Sequence, residues 1–244
     1  MTERRFRLDI ESISAEVVHH TVDNHEVKTL IADFGEECRM LSTTCGYRKL
    51  RYAANHYSPP IFWERDLNDF EGYLAKVHRS LQLARNNTAM LVTAVDMDNL
   101  AYRRSTFGEL MVGCLVTAGA KSNAMRMGVD TAQVEGPGLS SSPLGTINVI
   151  LFSNANLSDG AMAMALINIT EAKAATLQDL NVRSVYTPQN IATGTGTDGI
   201  IVVSGGGANI ASTSGHLKIG ELIGKTVRDA LIDALKKQDG LLPH

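Results

Sequence analysis

The stretch NIATGTGTDGIIVVSGGG, Asn190 to Gly207, decides the fold. Within it Gly194, Gly196 and Gly199 have the G-x-G-x-x-G spacing of a dinucleotide-binding turn. Such a turn follows a strand and opens a helix, so that the pyrophosphate sits on the helix N-terminus. Here the glycines lead instead into Gly199 to Ser204 (GIIVVS), an apolar, β-branched run that reads as a buried strand. The element order therefore argues against a nucleotide site. Thr193, Thr195, Thr197 and Asp198 give the loop hydroxyls, one carboxylate and backbone donors, a chemistry suited to a polar, uncharged ligand or to side-chain-capped turns.

Outward from this loop, strands and helices alternate. Gly145 to Phe152 and Leu110 to Ala118 read as buried strands, as does Ala89 to Val95. Shorter β-rich runs cover Glu16 to His20, Val27 to Phe34, Arg39 to Thr43 and Leu50 to Ala54, followed by a break at Pro59 and Pro60. Helical spacing predicts helices over Asp66 to Arg85, capped by Asp66, over Ser158 to Leu180, and from about His216 to Gln238. Met97 to Arg104 reads as a short helix and Val182 to Tyr186 as a strand, while Gly119 to Leu144 is a long irregular stretch. The pattern is that of a single layered α/β (mixed α+β) domain over residues 1–244, with a mixed β-sheet packed by helices.

The 244 residues carry a net charge of −3, which implies no nucleic acid or other polyanionic partner. No run is long and apolar enough for a membrane span, and MTERRFRLDI has no apolar core after its basic residues, so a cytoplasmic protein without a signal peptide is expected. Cys38, Cys45 and Cys114 form no C-x-x-C pair and fit free thiols in a reducing compartment, and no spacing suggests a catalytic metal.

The helix Ser158 to Leu180 is apolar around most of its circumference. Its polar groups fall on two stripes, Thr170, Lys173 and Thr176 on one and Asn168, Glu171, Gln178 and Asp179 on the other. One stripe carries polar groups inward, where they must be satisfied or functional. Thr170-x-x-Lys173 also has the hydroxyl-x-x-lysine spacing of some acyl-transfer enzymes. His216 follows Gly215 at the predicted start of the last helix, with Lys218 and Glu221 behind it; a neutral imidazole at a helix mouth can serve as general base or acid. Asn123 and Arg126, in the central loop, can bind amides or carboxylates.

In order along the chain, TAGAKSNAMRMGVD (Thr117 to Asp130), GTINVILFSNANLSDGAM (Gly145 to Met162), TEAKAATLQDLNVRS (Thr170 to Ser184), ATGTGTDGIIVVSG (Ala192 to Gly205) and GHLKIGELIG (Gly215 to Gly224) resemble the adenosylcobinamide amidohydrolases, the CbiZ family. The likeness is close from Thr117 onward and looser over Arg39 to Val95, so residues 39–244 form the family-like region and residues 1–37 a divergent set of N-terminal strands. The resemblance implies hydrolysis of the amide joining aminopropanol to the corrin f side chain of adenosylcobinamide, giving adenosylcobyric acid in corrinoid salvage. The partner it implies is a small-molecule corrinoid, whose cobalt enters only as part of the substrate, with no separate cofactor.

Amide hydrolysis needs an activated nucleophile, an oxyanion stabiliser and an acid for the leaving amine. On this reading His216 is the base or acid, oriented by Glu171 or Asp198. Lys173 and Asn123 polarise or position the substrate, and the backbone of Gly194, Thr195, Gly196 and Thr197 supplies the oxyanion site. Arg126, Gly215 and Lys218 complete the expected binding set. The chain departs from the family pattern at Cys45 to Leu50, at Gly128-Val129-Asp130 and in the inserted stretch Thr131 to Leu144, which bear on the preferred corrinoid. The competing expectation is a corrinoid-binding protein without turnover. A homodimer is the default for an enzyme of this size.

Overall fold

The computed structural model describes residues 3–65, 69–131 and 145–242. In chain order the strands are β1 (Arg4–Leu8), β2 (Ser14–Val22), β3 (His25–Ser42), β4 (Gly46–Tyr57), β5 (Thr88–Thr93), β6 (Ala101–Phe107), β7 (Leu110–Ala118), β8 (Ala124–Met125), β9 (Ile147–Ser153), β10 (Asn156–Leu157), β11 (Gly194–Thr195), β12 (Gly199–Ser204) and β13 (Asn209–Ile210). The α-helices are α1 (Pro60–Arg65), α2 (Phe70–Ser80), α3 (Asp159–Asp179) and α4 (Lys218–Asp239).

The GIIVVS run is β12, and it lies parallel to β9, with Gly199 against Asn148 and Ser204 against Ser153. Both strands are buried along their whole length, as parallel neighbours covered on two faces must be. The principal sheet follows the order β1-β2-β3-β12-β9-β7-β6, and β4 joins β3 to β5. It is mixed, because β12/β9 and β4/β5 are parallel and the other pairs antiparallel.

The sheet curls at β3. The register of β3 against β4 shifts between Asp33 and Cys38, where Gly35 takes a φ of +80°. A bulge of this kind bends a strand and increases its twist. Residues before it pair with β2, and residues after it pair with β12. The two halves of the sheet thus close on each other around Leu30, Met40, Leu91, Leu115, Ile150, Phe152, Ile201 and Val203. On the outer face of one half, Val149, Leu151 and Val202 pack against Met162, Ile169 and Leu177 of α3 and Val227, Leu231 and Leu235 of α4. On the outer face of the other, Val18, Val27 and Ile31 pack against Tyr73 and Val77 of α2. Alternate residues of β9 and β12 therefore feed two different cores, as a strand's period of two dictates.

Several elements differ from the sequence reading. Val27 to Phe34 and Arg39 to Thr43 belong to one long strand, bent rather than broken at Gly35. Pro60 does not stop the chain but opens α1, since a proline at the first helical position loses no hydrogen bond. The helix expected from Asp66 is α2, which is capped by Asp69 accepting from Gly72 N at 2.9 Å; Asp66 lies outside the described residues. Met97 to Arg104 holds one 3-10 turn, capped by Asp96, and then β6. Val182 to Tyr186 makes one isolated bridge, Arg183 to Ile191, because the Ser184 hydroxyl accepts from Tyr186 N and Thr187 N and turns the chain there. No helix among the described residues is long and apolar enough to cross a membrane.

Candidate active site

Helix α3 carries the inward polar stripe. Ser158 caps it by accepting from Ala161 N at 3.1 Å, which fixes where the helix starts and therefore which faces later residues occupy. Lys173 and Thr176 point inward and are buried, whereas Thr170 is exposed and its hydroxyl donates back to Leu166 O at 2.8 Å. On the other stripe Glu171, Gln178 and Asp179 are exposed, and Asn168 is buried with its amide on Thr213 O at 2.5 Å. Glu171 and Lys173, two positions apart, face different ways.

The Lys173 ammonium meets the Asp198 carboxylate in a short contact, and both side chains are nearly enclosed, 10% and 12% exposed. Asp198 Oδ2 also accepts from Thr195 N at 3.1 Å, and Oδ1 accepts from Ile147 N at 3.0 Å and from the Thr195 hydroxyl. The glycine loop is what brings these groups together. A Cβ on Gly194 would lie 2.4 Å from Asp198 Oδ2 and 2.7 Å from Lys173 Nζ, so the ion pair fits only over a bare backbone. The glycines admit a carboxylate and an ammonium where a dinucleotide turn would admit a pyrophosphate.

Beside the pair, β8 and β11 form a two-stranded ribbon that aligns Ala124 with Thr195. Asn123, just before β8, is 2% exposed. Its Oδ1 accepts from the Tyr186 hydroxyl at 3.1 Å, and this orients its Nδ2 toward Gly145 O at 2.9 Å. The Thr197 hydroxyl donates to the same oxygen at 3.2 Å. Two side chains from distant segments thus converge on one carbonyl. The next residue, Thr146, is buried, and its hydroxyl donates to Thr197 O at 2.7 Å. The loop that carries Asn123 is anchored by Asp239, whose Oδ2 accepts from Ala120 N at 2.6 Å, and by Asp130, which accepts from Arg126 N at 2.6 Å and from Ser184 and Thr187.

The structure brings Lys173, Asp198, Asn123, Gly194, Thr195, Gly196 and Thr197 together, and a Cβ on Gly196 would sit 3.4 Å from Asn123 Oδ1. Arg126 lies at the edge of the same loop, where its guanidinium donates to Ile191 O at 3.3 Å.

His216, Gly215, Lys218 and Glu171 lie elsewhere, a correction to the expected pairing. His216 precedes the helix rather than opening it, since α4 begins at Lys218 after Leu217. It is exposed, and among the described residues no hydrogen bond or ion pair joins it to Glu171 or Asp198. The distance follows from α4 itself. Lys218 sits 4.8 Å from the Phe107 ring at the hairpin of β6 and β7, whereas Asp239 reaches Ala120 beyond the other end of β7. A helix of 22 residues spans about 33 Å, so His216 and Asn123 stand at opposite ends of the domain. Gly215 and Glu171 line a separate groove of about 410 Å³ between α3 and α4. Lys218 is held by Glu221, whose carboxyl is drawn down to about 2 by its hydrogen bonds to Lys218 and Lys225.

Thr146 and Tyr186 escaped the sequence reading. The one local signal for Thr146 was a hydroxyl between a glycine and an otherwise apolar strand. Among the described residues no group of three or more His, Cys, Asp or Glu side chains could hold a metal. Cys114 is fully buried and its thiol pKa is raised well above the ordinary value by desolvation, which marks it as a core residue.

A family model described as adenosylcobinamide amidohydrolase matches residues 12–243. The chain is 40% identical over 247 residues to the uncharacterized protein MJ1613 of Methanocaldococcus jannaschii, spanning 95% of this chain and 96% of that protein. Among solved structures, the PH0078 protein from Pyrococcus horikoshii is similar with a TM-score of 0.46 and 10% identity, over 94% of this chain and 85% of the other. The l-aminopeptidase d-ala-esterase/amidase from Ochrobactrum anthropi, described as a prototype for the serine aminopeptidases and a variant of the Ntn hydrolase fold, is similar with a TM-score of 0.44 and 11% identity, again over 94% and 85%.

Proposed function

The chain belongs to the adenosylcobinamide amidohydrolase family of amide-hydrolysing enzymes, and from that premise we propose that it removes aminopropanol from adenosylcobinamide, leaving adenosylcobyric acid. The observation that carries the reading is the convergence of Asn123 Nδ2 and Thr197 Oγ1 on a single carbonyl oxygen beside the buried Lys173 and Asp198 pair. Two donors fixed at one point stabilise the oxyanion that forms when an amide carbonyl becomes tetrahedral. They stand in the protein before the reaction begins, so no reorganisation is needed as the charge develops.

The remaining groups divide the labour. Asp198 already accepts four hydrogen bonds and acts as a positioning residue that fixes Lys173 and the glycine loop. Lys173 is the one cation of the cluster and supplies the proton that the leaving amine requires. The hydroxyls and backbone of Thr195, Gly196 and Thr197 suit the primary amides on a corrin rim, and the cobalt stays part of the substrate. The proposed partners are the corrinoid substrate and a second copy of the chain, and the proposed compartment is the cytoplasm.

The test incubates the purified chain with adenosylcobinamide and assays free aminopropanol and adenosylcobyric acid. Wild type is expected to form both, Lys173→Met to lose on the order of 100-fold or more in kcat, and His216→Ala to stay near wild type. Tight binding without product would move the reading to a corrinoid-binding protein, and loss of activity in His216→Ala alone would move the chemistry to the far end of α4.

A further inference from the structure

The oxygen that Asn123 and Thr197 hold is not a substrate's but the chain's own, the carbonyl of the peptide bond joining Gly145 to Thr146. We infer that the chain cleaves itself at this bond, and that Thr146, once it is an N-terminal residue, is the nucleophile of the amidase.

Three observations carry this. First, a carbonyl leading into a strand ordinarily meets a backbone N–H, but this one meets an amide and a hydroxyl delivered by two loops, the donor set of an oxyanion site. Second, Gly145 has a φ of +141°, a conformation that L side chains rarely adopt, and a Cβ there would lie 2.9 Å from Gly119 O and 3.1 Å from Ser122 Oγ. The residue before the hydroxyl must therefore be glycine, and its carbonyl carbon has no side chain to shield it. Third, Thr146 is held on both sides. Gly119 N donates to its carbonyl at 3.0 Å, Asp198 accepts from the following Ile147 N at 3.0 Å, and the hydroxyl itself is buried. A nucleophile fixed beside its own electrophile reacts as an intramolecular neighbour, which is where positioning gains most.

The steps balance with water as the only co-reactant. Thr146 Oγ1 attacks the Gly145 carbonyl carbon while Asn123 and Thr197 hold the oxyanion. The hydroxyl proton passes to the Thr146 nitrogen, the C–N bond breaks, and an ester joins Gly145 to the threonine oxygen. Water then adds to the ester and the C–O bond breaks. Gly145 leaves as a carboxylate, and Thr146 keeps its hydroxyl and gains a free α-amine. That amine is the base a threonine nucleophile needs, and the donors that held Gly145 O are released for a substrate carbonyl. On the substrate, which rests on the reading above, Thr146 Oγ1 displaces the amine as the C–N bond breaks. The α-amine takes the hydroxyl proton, Lys173 protonates the departing nitrogen and recovers its proton from the α-ammonium, and water releases the acid from the ester.

The experiment is intact-mass spectrometry and N-terminal sequencing of the purified full chain, followed over time. Wild type is expected to resolve into residues 1–145 and 146–244 with Thr146 as a new N-terminus. Thr146→Ser should still cleave, and Thr146→Ala, checked by circular dichroism to be folded, should stay whole. Asn123→Ala should slow the cleavage about 100-fold. A wild-type chain that stays unbroken, or a break at the same bond in Thr146→Ala, overturns the inference. The arms separate it from the substrate assignment. Fragments without turnover of adenosylcobinamide keep the cleavage and discard the substrate, and turnover by an unbroken chain does the reverse.

Discussion

Asp198 accepts from an ammonium, a hydroxyl and two backbone N–H groups, and this saturation makes the pair around it sensitive to single changes. Asp198→Asn leaves Lys173 charged and enclosed, and breaking a buried pair from one side costs about 3–5 kcal/mol. Lys173→Met combined with Asp198→Asn removes both charges and is expected to regain most of that stability while activity stays lost. Urea unfolding of the three variants beside wild type checks this, and a double variant no more stable than Asp198→Asn would show that the pair is not a coupled unit. At this scale the sequence was half legible. Lys173 stood out as a member of one of two polar stripes, of which the sequence did not say which turns inward, and the Gly/Thr loop because its glycines led into a strand. Their meeting was not legible, because Lys173 and Asp198 are 25 residues apart and joined only by packing. His216 misled for the opposite reason. Its local signal depends on the helix starting at 216, and a shift of two residues takes the ring off the helix mouth.

The elements that position the site hold by local rules that can be tested one at a time. Ser158→Ala removes the acceptor for Ala161 N at the head of α3 and is expected to cost about 1 kcal/mol in thermal or chemical denaturation. Its effect on kcat should be small, because Lys173 lies four turns further on. Gly113, in β7, faces the Phe152 ring, and a Cβ there would come within 2.3 Å of it. Phe152 is itself packed on Phe34 and Tyr102, so Gly113→Ala is expected to cost about 1–3 kcal/mol as the inner core shifts. An unchanged melting temperature would mean that the ring has room to turn. Elements whose period runs unbroken were legible, β7, β9, β12 and α3 among them. Those governed by one residue's turn were not. Met97 to Arg104 looked helical because its first residues do form a 3-10 turn, and only the pairing of Ala101 with Val116 turns the rest into a strand.

Across the whole molecule, the layer between the sheet and α2 sets the response to acid. A buried chain of side chains runs from Ser80 through His20, Thr29 and His56 to Tyr73, each link between 2.7 and 2.9 Å. Burial lowers the His20 pKa to about 4 and that of His56 well below its usual value. Both rings are neutral in the fold and gain protons on unfolding in acid. Stability is therefore full above about pH 6.5 and falls as pH drops from there toward 4, by on the order of 2–3 kcal/mol for His20. Denaturation midpoints between pH 7 and 4 check this, and His20→Gln should flatten the slope. The mixed layered architecture was legible from the alternation of strands and helices, but the closing of the sheet was not, since a register shift beside Gly35 carries no periodic signature. The hold of Asp239 on Ala120 N has one more consequence. The loop that presents Asn123 to the middle of the chain is tied down by a residue synthesised 119 positions after Ala120. A nascent chain on the ribosome therefore has Thr146 and Asn123 long before it has their geometry. Whatever chemistry this site performs, on a corrinoid or on its own backbone, begins only after translation has passed α4.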